Sequence, residues 1–220
     1  TMASLKDTLL RLIATGIEHI SVYGLILEEG TPLEHLVSSG KVSLPDDDTS
    51  ADMYELVQQV LKERGFERYE ISNYSKNGQY SRHNTVYWQY HPYVSFGAAA
   101  CGREKALRRT AASTVPEYIA AAQSLTSANW RTSELYTSES LTIQQQLEEF
   151  MFMGLRRAAG ADLAEARARF GVDVWERYGL QREPIIKKGL ARYDGDKQRL
   201  WLTPKGMEIG NQIFAIFVDA

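Results

Sequence analysis

The spacing of hydrophobic residues changes within the first 30 positions of the chain. Between residues 5 and 13, leucine and isoleucine recur at helical intervals and Gly16 follows, which predicts an amphipathic helix with a glycine stop. Residues 19–27 are then apolar on both faces, as in a strand of a parallel sheet that is covered on both sides. We therefore predict a helix–strand unit of a parallel α/β fold, with its strand over 19–27.

The following segments continue the mixture of helices and strands. Helical spacing predicts a short helix over 33–37 and a longer helix over 50–64, which Gly65 ends. Apolar periodicity is weak over 69–93, which holds six of the twelve tyrosines. The other elements predicted in this half are strands over 66–71 and 93–96, two short strands on either side of Lys105, and a helix from Pro116 to about residue 124.

After residue 140 the chain returns to strong helical spacing. Thr142 and Gln145 have the spacing of a capping box before a helix over 143–155. The remaining predicted elements are helices near 162–170 and 173–189, a hairpin over 192–202 and a helix that starts at Pro204. This succession is typical of a winged-helix-like module.

A stretch rich in serine and threonine divides these two halves. We predict an α/β portion of a barrel with extra strands over 1–125, a linker over 126–140 and a mostly helical, winged-helix-like domain over 141–220.

Composition and charge exclude several classes of protein. The 220 residues carry a net charge of −3 and a pI of about 5.9, so a basic field for nucleic acid or an anionic membrane is absent. No apolar run approaches the roughly 18 residues of a membrane span. Because Cys101 is the single cysteine, a disulfide within the chain is excluded, and we expect a reducing, cytoplasmic location.

The candidate chemistry is concentrated in residues 82–88. If this stretch is helical, His83 and Tyr87 share a face. A neutral imidazole is a good iron ligand, and aromatic rings such as Tyr87 and Trp88 stack on a flat macrocycle, whose carboxylates Arg82 would bind. The alternative is that Tyr87 and Trp88 anchor a core and that His83 is an ordinary hydrogen-bonding residue.

Two further segments contain candidate functional residues, Glu70 and Cys101. Polar residues directly after a strand favour function in barrel enzymes, so Glu70 is a candidate acid or base; the alternative is an ordinary turn closed by Ser72 and Asn73. We expect Cys101, after a run of small residues, to be buried and inert.

The charge balance of the winged-helix-like domain bears on nucleic-acid binding. Between 161 and 192, seven basic residues against five acidic ones give too small a surplus for phosphate binding, so no nucleic-acid partner is expected.

Seven short segments share a family resemblance when they are taken in order. They are residues 19–23, 27–32, 69–74, 81–84, 87–88, 96–97 and 202–206. Together they resemble the C-terminal part of the radical-SAM oxygen-independent coproporphyrinogen III oxidase-like family, and most closely its HemW-type heme chaperone branch. The resemblance covers nearly all of the chain and implies a partial (β/α)6 barrel followed by a winged-helix-like domain.

In that family a CxxxCxxC motif binds a [4Fe–4S] cluster that cleaves S-adenosylmethionine. The motif is missing here, and one thiolate cannot replace three. We therefore expect the chain to be a piece of a longer parent, inactive alone, with no catalytic residue of its own and with the missing N-terminal half of the barrel as a partner. Strand 19–27 would then have lost a neighbour, and we expect its edge either to pair with another chain, as in a dimer, or to be covered by a loop.

The chaperone branch links the His-Asn-x-x-Tyr-Trp motif to heme. The resemblance therefore implies heme contacts from Arg82, His83, Asn84, Tyr87 and Trp88, with His83 on the iron. The implied function is heme binding and transfer to a heme-accepting protein. The alternatives are a true oxidase, which decarboxylates two propionates of coproporphyrinogen, and a winged-helix DNA-binding regulator. Many chaperone relatives have histidine where Cys101 stands, which leaves the role of that cysteine open.

Overall fold

The computed structural model describes residues 1–129 and 133–218. The chain divides into two compact units, Thr1–Ser81 and a second unit from Arg82 onward. Mixed helices and sheets make up the structure, in agreement with the predicted α/β class. Among the helices in the described ranges, none has both the length and the apolar composition that a membrane crossing requires.

The first unit packs two amphipathic helices beside a small antiparallel sheet. Its core contains Leu9 of the first helix, Val57 and Leu61 of the third, and Ile20 and Tyr74 of the sheet. The strand order is β1-β3-β2. The elements are α1 (Met2–Ala14), β1 (His19–Ser21), α2 (Pro32–Ser38), α3 (Asp47–Glu63), β2 (Glu67–Arg68) and β3 (Asn73–Ser75).

The predicted parallel strand over 19–27 is wrong in length, direction and burial. Strand β1 is antiparallel to β3, and their pairing ends at Ser21 opposite Asn73. The apolar residues that follow are exposed, with Tyr23 69% and Ile26 73% accessible. The physical reason is that β3 begins at Asn73, so the continuation of β1 has no partner strand within the described ranges. The apolar composition of residues 22–27 was therefore not a sign that these residues are buried.

The predicted strand over 66–71 is also displaced. Residues 71 and 72 form a bend between β2 and β3. The Glu70 side chain closes this bend, because its Oε1 accepts a hydrogen bond from the Ser72 backbone N–H at 2.9 Å. Glu70 is only 1% exposed. It therefore serves the turn, whereas the alternative interpretation assigns the closing of this turn to Ser72 and Asn73.

The second unit contains two antiparallel sheets and most of the helices. Its elements are α4 (Arg82–Trp88), β4 (Cys101–Glu104), β5 (Leu107–Ala111), α5 (Val115–Gln123), β6 (Tyr136–Ser140), α6 (Ile143–Leu155), β7 (Ala161–Asp162), α7 (Leu163–Phe170), α8 (Val174–Arg177), α9 (Gly179–Lys187), β8 (Ala191–Asp194), β9 (Arg199–Leu202), α10 (Pro204–Glu208) and α11 (Gly210–Ala215). The sheets have the orders β4-β5-β6 and β7-β9-β8.

The succession from α6 to β9 has the winged-helix order of a helix, a strand, three helical segments (α7, α8 and α9) and a hairpin. Thr142 caps α6 through the predicted capping box with Gln145. The apolar face of α6 contributes Leu147, Met151 and Leu155 to the core. One predicted helix, over 173–189, is two segments here, because Tyr178 leaves helical geometry with φ −104° and ψ 29°.

The middle of the chain differs from two of the predictions in its strands. The predicted strand over 93–96 is wrong, since only Tyr93 forms an isolated bridge, to Arg103. The predicted linker over 126–140 remains a prediction, and its last five residues form β6, which pairs with β5. Trp130, Arg131 and Thr132 of that stretch lie outside the described residues.

Candidate functional site

A cavity of about 840 Å³ opens in the second unit, between α4, the loop over 92–96 and the β4–β5 hairpin. Its volume lies in the range of roughly 300–1,000 Å³ that is typical of small-molecule sites. Aromatic and aliphatic side chains form most of its wall, including Val86, Tyr93 and Phe96. Polar side chains such as His83, Ser95 and Arg109 stand among these apolar ones, as in sites that bind a largely apolar ligand in one orientation.

His83 and Tyr87 lie side by side on the α4 wall of this cavity. The stretch is helical, so residues four apart share a face, as the sequence predicted. The Tyr87 hydroxyl and His83 Nε2 are hydrogen-bonded at 3.0 Å. Their rings meet edge to face, with centroids 4.9 Å apart. These two residues thus present an oxygen and an imidazole, both of which bind heme iron in proteins.

Tyr93 also packs against the Tyr87 ring. The two rings are perpendicular, with centroids 4.5 Å apart. Burial raises the pKa of Tyr93, so this phenol stays protonated well above neutral pH. Beyond it, Val94 and Phe96 are 79% and 82% exposed at the rim. The cavity therefore has a fixed aromatic wall and an apolar rim that solvent reaches.

Arg103 fixes the loop that carries this wall. Its guanidinium donates to the carbonyl oxygens of Tyr90 at 2.7 Å, His91 at 3.0 Å and Lys105 at 3.0 Å. It also lies over the Tyr90 ring, 3.6 Å from its centroid. Burial lowers the pKa of Arg103, yet the side chain remains a cation because an arginine pKa lies far above neutral pH. The loop is thus fixed before any ligand binds.

Arg109 brings a second positive charge to the cavity wall. Side chains alternate along β5, so Arg108 points to the opposite face, where it pairs with Glu139 at 2.8 Å. The Arg109 side chain is 12% exposed and lies 3.4 Å from the carboxylate of Glu104, which is 50% exposed. A partly buried guanidinium beside an apolar cavity is suited to binding the carboxylate of a ligand.

The predicted site residues separate into two groups. His83 and Tyr87 line the cavity together, whereas Arg82, Asn84 and Trp88 are not among its lining residues in the described ranges. Arg82 is exposed. Trp88 faces α6, where the guanidinium of Arg156 lies 4.8 Å from its ring centroid. Adjacent helical residues are about 100° apart around the axis, which explains why Tyr87 and Trp88 face different neighbours.

The expectation that Cys101 is buried is wrong, because the thiol is exposed. Cys101 is the first residue of β4, and its cross-strand neighbour on β5 is Thr110. A residue at the end of an edge strand keeps its side chain accessible to solvent. Sequence reasoning also missed Arg103 and Arg109. The available signal was the alternation of side chains along the two short strands on either side of Lys105, which places alternate residues on the same face of the hairpin.

Comparison with known proteins agrees with this fold. The model of the HemN C-terminal domain matches residues 141–209. The heme chaperone HemW of Lactococcus lactis subsp. lactis is 32% identical over 218 residues, which cover 99% of this chain and 55% of that protein. HemW of Bacillus subtilis is 31% identical over 218 residues, with coverages of 99% and 55%. The chain thus spans about half the length of these curated relatives.

A solved structure shares the fold. The chain matches coproporphyrinogen III oxidase (HemN) from Escherichia coli, a radical-SAM enzyme, with a TM-score of 0.71 and 13% identity, over 100% of this chain and 52% of that one. The fold is therefore that of a radical-SAM protein in its C-terminal part. With the relatives above, the chain belongs to the HemN/HemW-type radical-SAM family.

Proposed function

We propose that this chain binds heme in the cavity of its second unit and that its full-length parent is a heme chaperone. The observation that carries the proposal is the hydrogen-bonded pair of His83 and Tyr87 on the wall of an apolar cavity. A porphyrin already gives its iron four nitrogen ligands, so one protein side chain suffices to bind the metal. The need for a single protein ligand agrees with a cavity in which His83 and Tyr87 are the neighbouring groups able to bind iron.

The other parts of the cavity fit the rest of the heme molecule. Aromatic and aliphatic walls suit the faces of a flat macrocycle. The guanidinium of Arg109 suits a propionate, since arginine binds carboxylates with paired hydrogen bonds. These features support a tetrapyrrole with ionised carboxylates as the ligand class, and in particular heme.

The chaperone role rests on the relatives. The proteins with 31–32% identity over nearly the whole chain are named heme chaperones, whereas the Escherichia coli oxidase is 13% identical. We propose that the parent uses a [4Fe–4S] cluster and S-adenosylmethionine, passes heme to an accepting protein and acts in the cytoplasm. Pairing of the β1 edge with a second copy remains a prediction.

A hemin titration tests heme binding by the chain. Ferric hemin added to the wild type should give a saturable shift of the Soret band at one equivalent. The double variant His83→Ala, Tyr87→Phe should bind about 10- to 100-fold more weakly. His91→Ala is the matched control, since this exposed histidine follows α4 but is not a lining residue. Equal spectra and affinities for the wild type and the double variant would contradict the proposal.

The oxidase alternative has a separate readout. The match to the Escherichia coli structure concerns the fold alone and favours no substrate. Formation of protoporphyrinogen IX from coproporphyrinogen III by the full-length, cluster-loaded parent would identify an oxidase. We expect no product in this assay, together with retained heme binding.

A further inference from the structure

We infer that the phenolic oxygen of Tyr87, with His83 as its hydrogen-bond partner, binds the iron of a ferric heme. The inference deepens the proposed function and rests on it, because it concerns the same cavity. It also departs from the sequence-based expectation that His83 is the iron ligand. The decisive observation is the bond of 3.0 Å between the Tyr87 hydroxyl and His83 Nε2.

The hydrogen bond makes His83 the less suitable ligand of the two. Nε2 is already bonded to Tyr87, so iron at Nε2 would have to break that bond. In contrast, Tyr87 can bind iron and keep its partner, because a phenolate oxygen has lone pairs for both the metal and an N–H donor. The arrangement therefore favours oxygen ligation, with the imidazole behind the ligand as its hydrogen-bond donor.

The step is balanced in protons and charge. As the Fe–O bond forms, the O–H bond of Tyr87 breaks and its proton passes to His83 Nε2. The phenolate becomes an anionic ligand, the imidazole becomes imidazolium, and iron remains ferric throughout. Tyrosine is an established axial ligand of heme iron in proteins. An imidazolium held at hydrogen-bond distance stabilises the negative oxygen in the manner of an outer-shell partner.

The surroundings fix the orientation of the Tyr87 ring. The Tyr87 ring centroid lies 4.9 Å from that of His83 and 4.5 Å from that of Tyr93. Both contacts are nearly perpendicular, with interplanar angles of 86° and 80°. A ring already packed against two others loses little additional rotamer freedom when its oxygen binds a metal. The oxygen is therefore preorganised on the cavity wall.

Resonance Raman and absorption spectra of the ferric complex test the ligand directly. The wild-type chain with one equivalent of hemin should show iron–phenolate charge transfer and enhanced tyrosinate ring modes. Tyr87→Phe keeps the ring in contact with His83 and Tyr93 and removes only the oxygen, so these modes should disappear. Tyr136→Phe removes another hydroxyl from the same cavity and should retain them. His83→Ala should also retain them while hemin affinity falls about 10- to 100-fold.

The outcomes separate this inference from the function on which it rests. If the wild type binds no hemin, the proposed function fails and this inference fails with it. If Tyr87→Phe retains the wild-type spectrum while His83→Ala changes it, heme binding stands and iron is on His83. If Tyr136→Phe removes the tyrosinate modes, heme binding also stands but the ligand is Tyr136. Far-ultraviolet circular dichroism on each variant establishes that the spectral change does not come from unfolding.

Discussion

Gly102 lies so close to Ser95 that a methyl group on Gly102 would be 3.0 Å from the Ser95 hydroxyl oxygen. The same methyl would lie 3.2 Å from the backbone nitrogen of Ser95 and 3.2 Å from the carbonyl oxygen of Tyr93. The loop over 92–96 therefore crosses directly over β4 because β4 has no side chain at this position. Since that loop carries Tyr93 and Phe96, the shape of the cavity depends on Gly102.

We predict that Gly102→Ala displaces the cavity loop and weakens hemin binding. Contacts this short require Ser95 and the loop backbone to give way by a few tenths of an ångström, and overpacking of this kind costs about 1–3 kcal/mol. Urea denaturation should show that loss, and hemin titration should show a lower affinity. Gly179→Ala is the matched control, because the nearest atom to its methyl group would be 3.9 Å away. Unchanged stability and affinity in Gly102→Ala would contradict the placement of the loop.

Arg109 should distinguish hemin from its dimethyl ester. The ester has the same macrocycle and iron but lacks ionised carboxylates, so it cannot form a charge-assisted hydrogen bond with the guanidinium. Such a bond is worth about 1.5–3 kcal/mol, which corresponds to a preference of at least about 10-fold for hemin. Arg109→Gln should bind hemin nearly as weakly as the wild type binds the ester.

The control for Arg109→Gln is Lys105→Gln, which also removes one positive charge from the β4–β5 hairpin. Lys105 is exposed and is not a lining residue of the cavity. Lys105→Gln should therefore retain the wild-type preference for hemin over the ester. If Arg109→Gln also retains it, the propionates bind elsewhere, while heme binding itself stays intact.

Local signals account for the parts of the fold that the sequence predicts well. The capping box at Thr142 and Gln145 and the apolar spacing after it are short-range features, and α6 has them where expected. The helical stretch that joins His83 and Tyr87 is predictable for the same reason, because an i,i+4 pair depends on one element alone. The pairing of these two residues was therefore within reach of sequence reasoning.

Long-range contacts account for the parts that it predicts poorly. The run over 19–27 was apolar enough for a buried strand, but β3 pairs with only its first three residues. Strand β6 is polar and rich in serine and threonine, and it forms because β5 offers it a partner edge. The cavity combines α4, a loop and a hairpin, so no single segment carries its pattern. That is why Arg109 and the orientation of Trp88 were missed.

Gly206 should be intolerant of substitution for a steric reason. A methyl group on Gly206 would lie 1.9 Å from the carbonyl oxygen of Leu190. That carbonyl already accepts the Thr203 backbone N–H at 2.9 Å, so it cannot move away without breaking the link between the β8–β9 hairpin and α10. We predict that Gly206→Ala lowers the free energy of unfolding by about 3 kcal/mol or more.

Urea denaturation of the Gly206 variant checks this value. Gly195→Ala is the matched control in the same module, since the nearest atom to its methyl group would be 3.6 Å away, in the Tyr193 ring. The control should change stability by less than about 1 kcal/mol. A Gly206→Ala variant as stable as Gly195→Ala would show that α10 packs differently from the structure.

Tyr74 should make the stability of the first unit fall in alkaline solution. The ring lies in the central strand and is 2% exposed. Burial raises the pKa of Tyr74 to about 12, whereas an unfolded tyrosine has a pKa of about 10. Between these values the unfolded chain has released the proton that the folded chain retains, so unfolding becomes more favourable as pH rises. The contribution is complete below about pH 10 and is lost as pH rises toward 12.

Tyr74→Phe tests this linkage without removing a hydrogen bond, because the buried hydroxyl has no partner in the described part of the chain. Near pH 8 the variant should be as stable as the wild type or slightly more stable, since an unsatisfied polar group leaves the core. Its thermal midpoint should fall less steeply between about pH 10 and 12. Burial also raises the pKa of Tyr69, Tyr90 and Tyr178, so part of the slope should remain. Tyr23→Phe, at a site 69% exposed, should reproduce the wild-type slope, and an equal slope in Tyr74→Phe would contradict the assignment.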